Sequence, residues 1–141
     1  FFTDMPKLTL DLEEDFDFTL IGISCHSKDY RLAYEFNKLL SYEFTRDNDL
    51  ELRIKGESSS YAFFSFIDED NYVEYYLVSN RGSSGKLIPE EKLSDYFLIM
   101  KGDTNETTKK QLLTKVNEIQ PILKAYLIEV EQLKSKRNLI F

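Results

Sequence analysis

Leu50-Glu51-Leu52-Arg53-Ile54-Lys55 alternates apolar and charged residues without a break, and a period of two is what a half-buried β-strand demands. A helix would scatter the same residues around its circumference. The pattern recurs along the chain. Lys7 to Leu12 reads Lys-Leu-Thr-Leu-Asp-Leu, and Phe16 to Ser24 sets Phe16, Phe18 and Leu20 on one parity against Ile21 and Ile23 on the other. Tyr61 to Ile67 and Tyr72 to Val78 flank Asp68-Glu69-Asp70-Asn71 as a hairpin, and Tyr96 to Met100 makes a last short strand. Both hairpin strands carry large residues on both parities, so they are central, covered by helices, or used in an interface.

Two stretches read as helix. Ser27 or Asp29 can cap the first, which runs to Leu40 with Tyr30, Ala33, Tyr34, Phe36, Leu39 and Leu40 as its apolar stripe. The second covers Thr104 to Arg137, where Leu112, Val116, Ile119, Leu123, Tyr126, Val130 and Leu133 follow a four-three spacing. Leu113, Ile122 and Leu127 broaden that stripe, which suits packing on a sheet better than a two-helix zipper. Pro121 predicts a kink or break at 117–121. Gly56 to Ser59 reads as a turn, and Asn80-Arg81-Gly82-Ser83-Ser84-Gly85-Lys86 as the most flexible loop. The expected fold is α+β: a mainly antiparallel sheet of about five to six strands, one helix after the second strand, and a long C-terminal helix packed on the sheet. Residues 1–141 form a single domain on this reading, with no repeat or internal boundary.

Composition narrows the function. Eleven Phe and nine Tyr argue for a packed core rather than disorder. One cysteine, Cys25, and one histidine, His26, leave no disulfide framework and no expected transition-metal site or cofactor. Cys25 and His26 are adjacent at a strand end, where neighbouring side chains point to opposite faces, so no thiol–imidazole pair is expected. Phe1 to Pro6 lacks a basic flank before an apolar run, so no signal peptide is expected. No stretch reaches the length of a membrane helix, which makes a cytoplasmic location the expectation. The net charge of −7 disfavours nucleic acid and anionic lipid as partners. The charge is uneven, however: residues 1–20 carry six acids against one Lys, and residues 101–141 carry eight Lys or Arg against five acids.

Gly82 to Leu87 fails as a phosphate loop: it has two residues between its glycines and Leu after Lys86. The aromatics of residues 60–80 lie in a stretch with no Lys or Arg and four acids, which does not suit stacking on RNA.

Ile88-Pro89-Glu90-Glu91-Lys92-Leu93-Ser94-Asp95-Tyr96 resembles the signature of a small bacterial family named for its Ile-Pro-Glu … Asp-Tyr motif, the IPExxxDY type. Asp15 to Ser24 and Asp29-Tyr30-Arg31 resemble the same family, so the likeness spans nearly the whole chain. It brings no activity with it. Physically, Pro89 can open a helical turn with Glu90 and Glu91 at its positive end. Asp95 can turn the chain into the next strand, and Tyr96 can bury its ring.

The functional reading makes Arg81, Lys86, Pro89, Glu90, Asp95 and Tyr96 a binding edge. Its partner would be another protein or a second copy of the chain, with no catalysis expected. The alternative is a small-molecule-binding or carboxylate-dependent enzyme site near Glu90, Asp95 and Tyr96.

Overall fold

The computed structural model describes residues 16–102 and 105–141. The strand expected at Lys7 to Leu12 lies outside the described residues. In chain order the elements are β1 (Thr19–Cys25), α1 (Asp29–Leu40), β2 (Thr45–Arg46), β3 (Leu50–Ile54), β4 (Glu57–Tyr61), β5 (Phe63–Asp68) and β6 (Val73–Ser79). Then follow β7 (Tyr96–Lys101), α2 (Glu106–Asn117), β8 (Ile122–Ile128) and two short 3-10 turns, Val130–Gln132 and Lys136–Leu139. Six strands form one sheet in the order β2-β5-β6-β7-β1-β8, every neighbour antiparallel, while β3 and β4 pair separately. The chain is α+β, as the alternation implied.

The sheet is the middle layer of three, which explains strands apolar on both parities. One face packs Ile21, Ile23, Leu77, Leu98 and Met100 against Leu32, Ala33 and Phe36 of α1 and Leu112 and Val116 of α2. The other packs Leu20, Val78, Phe97 and Ile99 against Tyr61, Leu87, Ile88, Val130, Leu133 and Leu139. Among the described residues no α-helix covers this second face; β4, the segment after β6 and the C-terminal 3-10 turns do. Tyr96 to Met100 is therefore buried at every position.

Three expectations are corrected. Thr104 to Arg137 is not one helix: α2 ends at Asn117, and β8 pairs along β1 with Ile23 opposite Ala125. Pro121 lacks an N–H donor and drives the residue before it toward extended backbone, so the helix cannot run through. The four-three spacing arose from a helix stripe, a strand and the C-terminal turn standing end to end. Next, Tyr30 and Tyr34 are exposed; the buried face of α1 is Leu32, Ala33 and Phe36. Finally, the turn at Gly56 is only two residues long. Lys55 and Gly56 both have positive φ (50° and 84°), the signature of a type I′ hairpin, and β4 resumes at Glu57.

Two asparagines tie helices to the chain that follows. Asn37 of α1 accepts from the Phe44 N–H (2.8 Å) and donates to the Phe44 carbonyl (3.2 Å). Asn117 does the same for Ala125 of β8, at 2.9 and 3.0 Å.

Candidate functional site

The C-terminal ends of β1 and β6 meet the N-terminal end of β7, with Tyr96 opposite both Ile23 and Ser79. There α1 begins, and a cleft of ≈ 420 Å³ opens between Cys25, His26, Ser27, Lys28, Ser79, Arg81, Asp95 and Tyr96. Of the six residues singled out in the sequence, Arg81, Asp95 and Tyr96 line it. Lys86, Pro89 and Glu90 do not.

Asp95 is the hinge pin of this cleft. Its Oδ2 accepts from the Cys25 N–H (2.9 Å) and its Oδ1 from Arg81 Nη2 (2.8 Å). Its backbone N–H donates to the Ile23 carbonyl (2.7 Å) and its carbonyl accepts from the Asn80 N–H (2.9 Å). The Asp95 side chain is only 12% exposed, whereas that of Arg81 is 70% exposed. An ion pair so open to water contributes about 0–1 kcal/mol, so its effect is chiefly to aim the guanidinium. The Tyr96 hydroxyl donates to the Ser27 carbonyl (2.7 Å), and burial, helped by the charges of Asp29, Cys25 and Asp95, pushes its pKa up.

What the cleft offers to solvent is therefore two cations, Lys28 and Arg81, beside the imidazole of His26. His26 and Lys28 are exposed, and neither side chain enters an ion pair among the described residues. Lys28 is the N-cap of α1 and makes no side-chain capping bond, so the helix start adds its partial positive charge. Asp29 is the nearby acid; its carboxylate accepts from the Tyr30 N–H (2.8 Å). Cys25 is buried, and burial raises its pKa, outweighing hydrogen bonds from Ser27. A thiol in that state is a poor nucleophile. Among the described residues no group of three or more His, Cys, Asp or Glu is placed to hold a metal ion, and no helix is long and apolar enough to cross a membrane.

The rest of the motif is architecture built around a residue the sequence reading missed. Asn80 is fully buried. Its Oδ1 accepts from the Ile88 N–H (2.8 Å), and its Nδ2 reaches the carbonyls of Ile88 (3.4 Å), Glu91 (3.2 Å) and Ser94 (2.8 Å). One carboxamide thus organises two successive turns, in the first of which Pro89 follows Ile88 and the Glu91 N–H bonds back to the Ile88 carbonyl (3.1 Å). Ser94 is buried too and shares a hydrogen bond with the Tyr126 hydroxyl of β8. Glu90 faces the C-terminal segment, accepting from Ser135 N–H (2.7 Å) and Oγ (2.9 Å). Partial burial works against the Glu90 carboxylate, but the Ser135 donors prevail and lower its pKa. Lys86 Nζ donates to the Lys92 carbonyl (3.3 Å).

The loop expected to be flexible is stitched down. Ser83 Oγ accepts from the Ser60 N–H, Ser84 N–H donates to Ser59 Oγ, and Ser84 Oγ donates to the Ser58 carbonyl, each at 3.0 Å. Gly82 lies where a Cβ would collide with the Tyr61 ring and Ser59 Oγ, so glycine is required by close approach. No local signal marks Asn80, because its partners lie 8 to 14 residues away.

No protein-family model matches the chain, and no curated protein shows significant similarity to it.

Proposed function

We propose that this protein is a binding domain, and that the cleft around Arg81 receives an acidic segment of a protein partner. The observation that carries the reading is the division of charge at the cleft: Asp95 is turned inward onto Cys25 and Arg81, leaving His26, Lys28 and Arg81 to face a ligand. In a chain of net charge −7 such a grouping stands against the general field, and local opposite charge steers and orients an acidic partner. The doubly apolar strands lend no weight here, because both faces are covered by the chain itself. A site gathering Glu90 with Asp95 and Tyr96 has less support, since Glu90 is engaged by Ser135 outside the cleft.

The same proposal includes a cytoplasmic, bacterial setting and membership of the Ile-Pro-Glu … Asp-Tyr family. On that reading the motif's residues act mainly by shaping the cleft wall. The test is a titration of the labelled protein with a short polyglutamate peptide, followed by amide NMR shifts. Shifts clustered at residues 26–31, 79–81 and 95–96, weakened by Arg81→Gln and absent with polylysine, support the reading. Shifts scattered over the surface, or none, overturn it.

A further inference from the structure

Resting on that reading of the cleft, the geometry points to its occupant: we propose that the hairpin tip between β5 and β6 of a second copy enters it, so that molecules associate head to tail. The tip has the chemistry the cleft lacks. Glu69 and Asp70 are exposed there, Tyr72 is 87% exposed, and Ile67 beside them is 58% exposed. Tyr72 also has a positive φ of 56°, a conformation uncommon for a bulky residue. The turn is already built, because the Asp68 carboxylate accepts from the Asn71 N–H (3.2 Å) and from Asn71 Nδ2 (2.9 Å). A pre-ordered tip loses little conformational entropy on docking. An exposed tyrosine flanked by acids can lay its ring on the cleft while the carboxylates meet Lys28, His26 and Arg81.

Topology forbids a molecule from filling its own cleft. β6 begins at Val73, directly after Tyr72, and ends at Ser79, which lines the cleft. Its seven residues set the two features about 23 Å apart, at opposite ends of one rigid strand. Each copy therefore carries an acidic head and a cationic tail, and the contact between copies is heterologous: it propagates as an open chain unless the rotation closes a ring. A cleft of ≈ 420 Å³ receiving one hairpin tip buries less than the roughly 1,200 Å² of a stable complex, so the association is weak and concentration-dependent. Salt weakens it, since screening acts over about 8 Å at physiological ionic strength.

The experiment is sedimentation velocity of the full chain over a wide concentration range at low and high salt. The expected result is a mass that rises with concentration at low salt and falls back to the monomer at high salt. Lys28→Glu, whose side chain enters no hydrogen bond or ion pair among the described residues, should disable the cleft. Glu69→Gln with Asp70→Asn should disable the tip without making it complementary to the Lys28→Glu cleft. Each variant alone should associate roughly tenfold more weakly than the wild type. Mixed together they should form a heterodimer and nothing larger, because only one intact tip and one intact cleft remain. A monomer at every concentration, variants that associate like the wild type, or a mixture that stays monomeric overturns the proposal. The polyglutamate titration separates the two readings: if that peptide binds the cleft while the protein stays monomeric, only the second-copy occupant falls, and if the peptide fails as well, the cleft reading falls with it.

Discussion

Replacing Asn80 with Ala should be among the most damaging single changes away from the hydrophobic side chains. The truncation leaves the Ile88 N–H and the Ser94 carbonyl, both on buried residues, without the partners they hold at 2.8 Å. Each buried backbone group left unpaired costs about 1–3 kcal/mol, and the vacated carboxamide adds a small cavity, so the loss should total about 3–5 kcal/mol. In a chain of this length that lowers the melting temperature by roughly 10–17 °C. Asn80→Asp sharpens the test. One oxygen still accepts from Ile88, but the other stands where an N–H pointed at the carbonyls of Glu91 and Ser94. The protonated carboxyl can donate to those carbonyls and the carboxylate cannot, so the folded pKa must rise above its unfolded value. Stability is then highest in acid, where the group is protonated in both states. It declines as the pH climbs from the unfolded value through the folded one. Urea unfolding followed by far-ultraviolet circular dichroism, at neutral and mildly acidic pH, measures both effects. An Asn80→Ala variant within about 1 kcal/mol of the wild type would refute the reasoning. So would an Asn80→Asp variant whose deficit relative to the wild type ignores pH.

Two further changes probe the same node. In Gly22→Ala the new Cβ would meet Ser94 Oγ at 2.5 Å, Ile128 Cδ1 at 2.7 Å and Tyr126 Cε2 at 2.9 Å. Thermal unfolding should show a loss of about 1–3 kcal/mol, and a neutral result would mean that Ser94 and Tyr126 move aside freely. Glu90→Gln should free the C-terminal segment, read as faster hydrogen exchange at the Ser135 amide, with a modest stability loss of about 1 kcal/mol because the carboxylate is largely solvated. Glu90 has a lowered folded pKa, so its contribution is present above the ordinary value of 4.5 and disappears as the pH falls below it. The stability difference between wild type and variant should therefore shrink in acid; a difference independent of pH would contradict the Ser135 clasp.

Pattern in the sequence located β3, β5, β6 and β7 to within a residue or two, and α1 as well. β3 and α1 have a period and an exposed side, so pattern alone suffices there; β5, β6 and β7 are marked instead by short apolar runs bounded by turn residues. β8 was hidden because its residues extend the spacing of α2 across Pro121, and only pairing with β1, about a hundred residues away, decides between helix and strand. Gly82 to Lys86 looked mobile because Gly and Ser carry no apolar anchor. Their partners are the serines of β4, which the sequence presents as a turn. The same holds at the candidate site. Arg81, Asp95 and Tyr96 stood out through the motif, but His26 and Lys28 join them only because β1 and β7 are neighbours. Asn80 stayed invisible, since a buried asparagine and a loop asparagine are the same letter until the fold closes over one of them.

Asn117 has a consequence for the shape of any assembly. Among the described residues β8 is the last strand on its side of the sheet, and its flank exposes Leu123 and Leu127, the kind of margin that invites a passing chain to stitch itself on. By taking both the N–H and the carbonyl of Ala125, the asparagine withdraws the middle rung of that ladder from outsiders. An added strand on the β8 side would find that rung already spent, while the other margin is set by β2, only two residues long.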